Sequence, residues 1–140
     1  MAYKNILVAV APSPEANQLV AKAVAIARPV QGSITLITQS TDPEIYNQFA
    51  APMLADLREL MNEETVLFLH RLTEAARYPI ADQLIVTGYL SEHIGQVCRE
   101  RQIDLVICGN HNQTLFNKLT CSSKPVIANC CTDVLLVALR

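Results

Sequence analysis

Short apolar runs alternate with longer amphipathic ones along this chain. Residues 6–10 are apolar at every position, the pattern of a strand buried on both faces of a parallel sheet. Ser13-Pro14-Glu15 then carries helix-start chemistry, with Ser as N-cap, Pro at the first helical position and Glu in the first turn. Leu19, Val20, Ala23, Val24 and Ala27 share one helical face, and Pro29 and Gly32 end that helix. Residues 33–38 read as a second strand, and Asp42-Pro43-Glu44 is placed to cap a short helical turn. Pro52 opens a long helix. Its stripe of Met53, Leu57, Leu60, Met61, Leu67, Phe68 and Leu72 is expected to be core. Asp56, Arg58, Glu59, Glu63, Arg71 and Glu74 are expected to be its solvated face. A third strand covers 84–87 and ends at Gly88. Ser91 is read as the cap of a helix that buries Ile94, Val97 and Cys98. Residues 103–108 form a fourth strand, and 115–128, broken by Pro125, a turn and then a helix. A fifth strand covers 133–139.

This β-α alternation predicts an α/β fold, an open doubly wound parallel sheet with helices on both faces. Residues 1–140 fit one domain. Ligands in such folds bind beyond the carboxyl ends of strands, where the strand order reverses. The expected crevice lies between Ala9-Val10-Ala11 and Gly109-Asn110-His111.

Composition narrows the function classes. The chain is 51% hydrophobic and 17% charged, which excludes wholesale disorder. The net charge is −2 and the Lys and Arg residues are dispersed, so nucleic acid is not an expected partner. No apolar run approaches the ~20 residues that span a membrane. The start, Met1-Ala2-Tyr3-Lys4-Asn5, leads straight into a strand without a signal-peptide h-region, and a cytoplasmic location is expected.

Candidate chemistry centres on Gly109-Asn110-His111-Asn112 and Ser122-Ser123. A glycine after a strand lets backbone approach a phosphate closely. His111 and Cys121, Cys130 and Cys131 lack the paired close spacings of a zinc site, so no metal is expected. Cys98 and Cys108 fall on apolar faces and read as small core residues. Lys118 and Lys124 flank Cys121, which leaves a thiol redox sensor as an alternative. His70 and His93 read as surface histidines. No Ser-His-Asp spacing, carboxylate pair or G-x-S-x-G elbow is present, so no catalytic residue is assigned.

Four stretches resemble the universal stress protein family, its bacterial A-type group. They are Tyr3-Lys4-Asn5-Ile6-Leu7-Val8-Ala9-Val10, Gly88-x-x-Ser91-Glu92-x-Ile94, Asp104-Leu105-Val106-Ile107-Cys108-Gly109 and Asp133-Val134-Leu135-Leu136-Val137. The resemblance covers essentially the whole length and implies a five-stranded sheet ordered 3-2-1-4-5. Nucleotide-binding members carry G-x-x-G-x9-G-[ST] after the fourth strand. Gly109 and Ser123 match it here, whereas Asn112 and Ser122 replace two glycines. Ala11 stands where an acidic residue often follows the first strand. Ala9, Val10, Ala11, Gly109, Asn110, His111, Asn112, Ser122 and Ser123 therefore mark an altered nucleotide loop, expected to hold no cofactor.

The resemblance implies a non-enzymatic stress-response protein supporting resistance to stress and DNA-damaging agents. An ATP-binding switch or weak ATPase is the alternative. It further implies homodimerisation through the last strand: Asp133, Val134, Leu135, Leu136, Val137, Ala138 and Leu139. Heterodimers with paralogues are a second mode it allows. Pairing centred between Leu136 and Val137 would set Asp133 opposite the partner's Arg140.

Overall fold

Strand β1 (Asn5–Ala9) is the centre of the sheet, and its Ile6, Leu7 and Val8 are fully buried. A computed structural model describes residues 3–39, 51–87, 90–109 and 132–138. Around β1 lie β2 (Ser33–Gln39), β3 (Asp82–Val86), β4 (Leu105–Gly109) and β5 (Asp133–Val137). The order is β3-β2-β1-β4-β5, as the family resemblance implies, and every pair is parallel. The continuous apolar runs have the reason expected: both faces of the central strands are covered.

Strand alternation divides the core in two. Ile6, Val8, Ile34, Leu36, Leu105, Ile107 and Val137 face one side, with helices α1 (Ala16–Ala27) and α2 (Ala51–Ala76). Leu7, Ala9, Ile37, Val106 and Cys108 face the other, against Ile94, Val97 and Cys98 of α3 (Leu90–Arg101). The helix read within 115–128 and the turn at Asp42-Pro43-Glu44 lie outside the described residues.

Two helix starts differ from the sequence reading. Ser13 does not cap α1, whose N-cap position is Glu15, without a side-chain cap. The carbonyls of Ser13, Pro14 and Glu15 instead accept the N–H groups of Ala16, Asn17 and Gln18 at 3.2, 3.4 and 2.9 Å. A backbone turn thus occupies the donors that a cap side chain would take. Ser91 lies inside the first turn of α3 rather than ahead of it.

The face buried by α2 also differs. Leu69 and Leu72 are buried, but Leu60 and Leu67, read as core, are 52% and 47% exposed. Leu60 and Leu67 are seven positions apart and so lie on one side of the helix, turned away from the Leu69–Leu72 side.

Backbone contacts lock the amino ends of the strands. Asp104 accepts from the N–H groups of Lys4 and Asn5 at 3.1 and 3.0 Å, and its own N–H donates to Asn5 O at 2.8 Å. After α1 a 3-10 turn (Arg28–Val30) leads to Gln31, which is left-handed at φ 53°. The following Gly32 has Tyr3 O and Lys4 O each 3.1 Å from where a Cβ would stand. The Tyr78 hydroxyl donates to Gly32 O at 2.6 Å, with the Arg28 guanidinium 5.6 Å above its ring.

Candidate functional site

The strand order reverses between β1 and β4, which pair as Val8↔Ile107. The carboxyl ends of these two strands are therefore neighbours, the place where such sheets receive ligands. Ala9 closes β1 and Gly109 closes β4, and both are buried. Val10 continues beyond β1, is 2% exposed and donates from its N–H to Ile37 O at 2.9 Å. Ala11 is half-buried at the mouth. The structure thus brings Ala9, Val10, Ala11 and Gly109 to one end of the sheet. Asn110, His111, Asn112, Ser122 and Ser123 lie outside the described residues.

The first half of the crevice offers few backbone donors. Pro12 and Pro14 have no N–H. The N–H groups of Ala16, Asn17 and Gln18 are already engaged by the turn ahead of α1. A phosphate cradle needs several free N–H groups converging on one point. This shortage follows from two prolines in the five residues 11–15, a signal legible in the sequence.

Other polar groups here have structural partners. His93 Nε2 lies 2.7 Å from Thr87 O, at the end of β3. A carbonyl only accepts, so this nitrogen donates and is not available as a base. His70 pairs with Glu74 on the outer surface of α2 at 3.0 Å. Cys98 and Cys108 are buried thiols in the α3-side core, as read. Cys121, Cys130 and Cys131 lie outside the described residues. Among the described residues no group of three His, Cys, Asp or Glu side chains is placed to hold a metal, and no helix is long and apolar enough to cross a membrane.

Hollows lined by described residues also lie away from this end. One of about 170 Å³ sits at the amino ends of the strands, between Asn5, Ser33, Thr35 and Arg101. Arg101 there pairs with Asp82 at 2.7 Å. Another, about 530 Å³, runs between α1 and α2, lined by Val20, Val24 and Ala76.

The outer edge of the sheet is the second candidate surface. Strand β5 pairs with β4 from Leu105↔Asp133 to Gly109↔Val137. No strand among the described residues pairs with its other side. Leu136 is 43% exposed there. Asp133 accepts a hydrogen bond from the Tyr3 hydroxyl at 2.8 Å. Leu139 lies outside the described residues.

The model of the universal stress protein family matches residues 2–138. The chain belongs to the universal stress protein family. It is 60% identical over 139 residues to universal stress protein C of Escherichia coli O157:H7, covering 99% of this chain and 98% of that one. Among solved structures it resembles the universal stress protein UspA from Lactobacillus plantarum, with a TM-score of 0.77 and 19% identity. That match covers 100% of this chain and 99% of the other. It also resembles a universal stress protein in complex with cAMP, with a TM-score of 0.63, 24% identity and 98% of each chain covered. These structural likenesses carry the fold. The family and the strand order agree with the sequence reading.

Proposed function

We propose that this chain is a non-enzymatic stress-response protein of the cytoplasm that acts as a dimer through protein–protein contact. It protects the cell under stress, including DNA-damaging conditions. The observation that carries the assembly is the outer edge of β5. Among the described residues no strand pairs with it, Leu136 there is half-exposed, and an edge of that kind favours pairing with another strand. Homodimers, and heterodimers with paralogues, use that edge. Nucleic acid and membrane are not its partners, in keeping with a net charge of −2.

The crevice takes no cofactor in this reading. Two prolines and three engaged N–H groups on the β1 side leave little backbone to wrap a phosphate, and in the sequence Asn112 and Ser122 replace two glycines. Sedimentation velocity tests the first half: a dimer at micromolar concentration is expected, and a monomer there refutes it. Calorimetric titration with ATP and Mg²⁺ tests the second. Binding tighter than about 10 μM, about −7 kcal/mol, would replace this reading with a nucleotide-dependent switch or weak ATPase. That alternative draws on the position of Gly109 beside the end of β1, and on a structurally similar protein that holds cAMP. A thiol sensor would have to use Cys121, Cys130 or Cys131, because Cys98 and Cys108 are buried. Mapping of oxidised cysteines after peroxide treatment tests it, and no reversible change is expected.

A further inference from the structure

The faces of β5 restrict how two copies can meet, granted the edge-to-edge dimer proposed above. Leu135 and Val137 pack on the α1–α2 side of the sheet and Val134 on the α3 side. Leu136 lies in register with Cys108, itself an α3-side residue, so it shares that side. A two-fold axis that joins two edge strands antiparallel in one sheet stands perpendicular to the sheet. It leaves each face on its own side. Residues directly opposite one another must then come from the same face. The axis therefore passes through a residue that faces its own copy, never between two residues. A centre between Leu136 and Val137 would set an α3-side chain against an α1–α2-side chain, which a continuous sheet does not allow. The pairing of Asp133 with the partner's Arg140 goes with it. Asp133 is in any case held by Tyr3 of its own chain.

Centres at Asp133 and Val134 would pair Leu136 and Val137 with residues ahead of the strand, which leaves Leu135, Leu136 and Val137. A centre at Leu135 sets Asp133 opposite the partner's Val137, a residue only 7% exposed, and leaves three apolar pairs. A centre at Val137 also makes five apolar positions, 135–139, face one another, but it sets the exposed Leu136 against only the methyl group of Ala138 and places Val134 opposite Arg140. A centre at Leu136 makes five successive apolar positions, 134–138, face one another and brings the two exposed leucines together. Cross-strand apolar pairs of this kind are the unit of sheet stabilisation. We infer that the dimer pairs β5 antiparallel with Leu136 on the two-fold axis, meeting the partner's Leu136 on the α3 side.

Charge exchange at this position tests the register. Leu136 is at an edge and half exposed, so its polar variants retain the fold, checked by circular dichroism. L136E and L136K each weaken the dimer by about tenfold or more, about 1.4 kcal/mol, because like charges meet on the axis. An equal mixture of the two restores it as a mixed dimer. The double variant L136E/A138K forms a homodimer only if Val137 is the centre, and V134K/L136E only if Leu135 is. Recovery by either double variant, without recovery in the mixture, overturns the inference while leaving the dimer. A monomeric unsubstituted protein overturns the dimer itself. A dimer indifferent to every one of these changes overturns the use of β5.

Discussion

The hydroxyl of Tyr3 donates to Asp133 Oδ2 at 2.8 Å, joining positions 130 apart in the chain. The contact ties the segment ahead of the central strand to the first residue of the edge strand. Its consequence is electrostatic. The hydrogen bond to the carboxylate, and then the negative charge beside it, raise the Tyr3 phenol above its ordinary pKa of 10.0. The folded value exceeds the unfolded one. The contact's stabilisation is therefore whole below the ordinary phenol range and is lost as pH rises through the folded value. Asp133→Ala is expected to make one of the four tyrosines ionise earlier in an ultraviolet tyrosinate titration. Identical titration curves for the two proteins would contradict the contact.

Two leucines two positions apart on α2 should respond very differently. Leu69 is 1% exposed, and Leu69→Ala is expected to cost about 2–5 kcal/mol through lost burial and a residual cavity. Leu67 is 47% exposed, and Leu67→Glu is expected to stay within about 0.5 kcal/mol of the parent. Urea unfolding midpoints of the two variants measure this. Equal losses would place the core face of α2 elsewhere.

Gly32 is required for space. A Cβ there would lie 3.1 Å from both Tyr3 O and Lys4 O, and 3.4 Å from Ala27 Cβ. Backbone oxygens at the start of β1 cannot swing aside as a side chain does. Gly32→Ala is expected to destabilise by about 1–3 kcal/mol in denaturant unfolding, the range for an overpacked site. A stabilised variant would show that the amino end of β1 yields easily.

Arg77 offers the opposite substitution. It follows α2 in a left-handed conformation, φ 52°, and its side chain is exposed. A Cβ is unfavourable there, and glycine is the usual residue at this position after a helix. Arg77→Gly is expected to raise stability by about 0.5–1 kcal/mol, since relief of strain outweighs the added freedom of the unfolded chain. Thermal and urea unfolding would both register it.

The sheet was the legible part of the chain. Ile6, Leu7 and Val8, or Val106 and Ile107, are apolar in succession because helices cover both sides, and few other structures produce that pattern. The face of α2 was harder to read. Leucine or methionine occurs at 53, 57, 60, 61, 67 and 72, and also at 54 and 69, which together surround the helix. Periodicity then cannot say which side packs inward; contact with α1 decides for Leu69 and Leu72. Ser13 and Ser91 have the right chemistry for caps, but the turn at 13–15 and an earlier start of α3 settle those ends. At the site, Gly109 could be placed from its strand alone. The loss of donors beside it depends on where Ser13, Pro14 and Glu15 direct their carbonyls, which no motif spells out. The parity of β5 was readable in principle, since alternation is a property of any strand. Which side Leu136 takes needed its neighbour Cys108.

The central place of β1 has a consequence for biosynthesis. The strand that ends in the middle of the sheet is the first to be made, and β4, which covers its second edge, begins at Leu105. At about 5–20 residues per second, that edge waits roughly 5–20 s for its partner on the ribosome. During this interval a strand whose Ile6, Leu7 and Val8 end fully buried presents one open side to the cell. A nascent chain arrested before Leu105 is therefore the form most in need of chaperone protection.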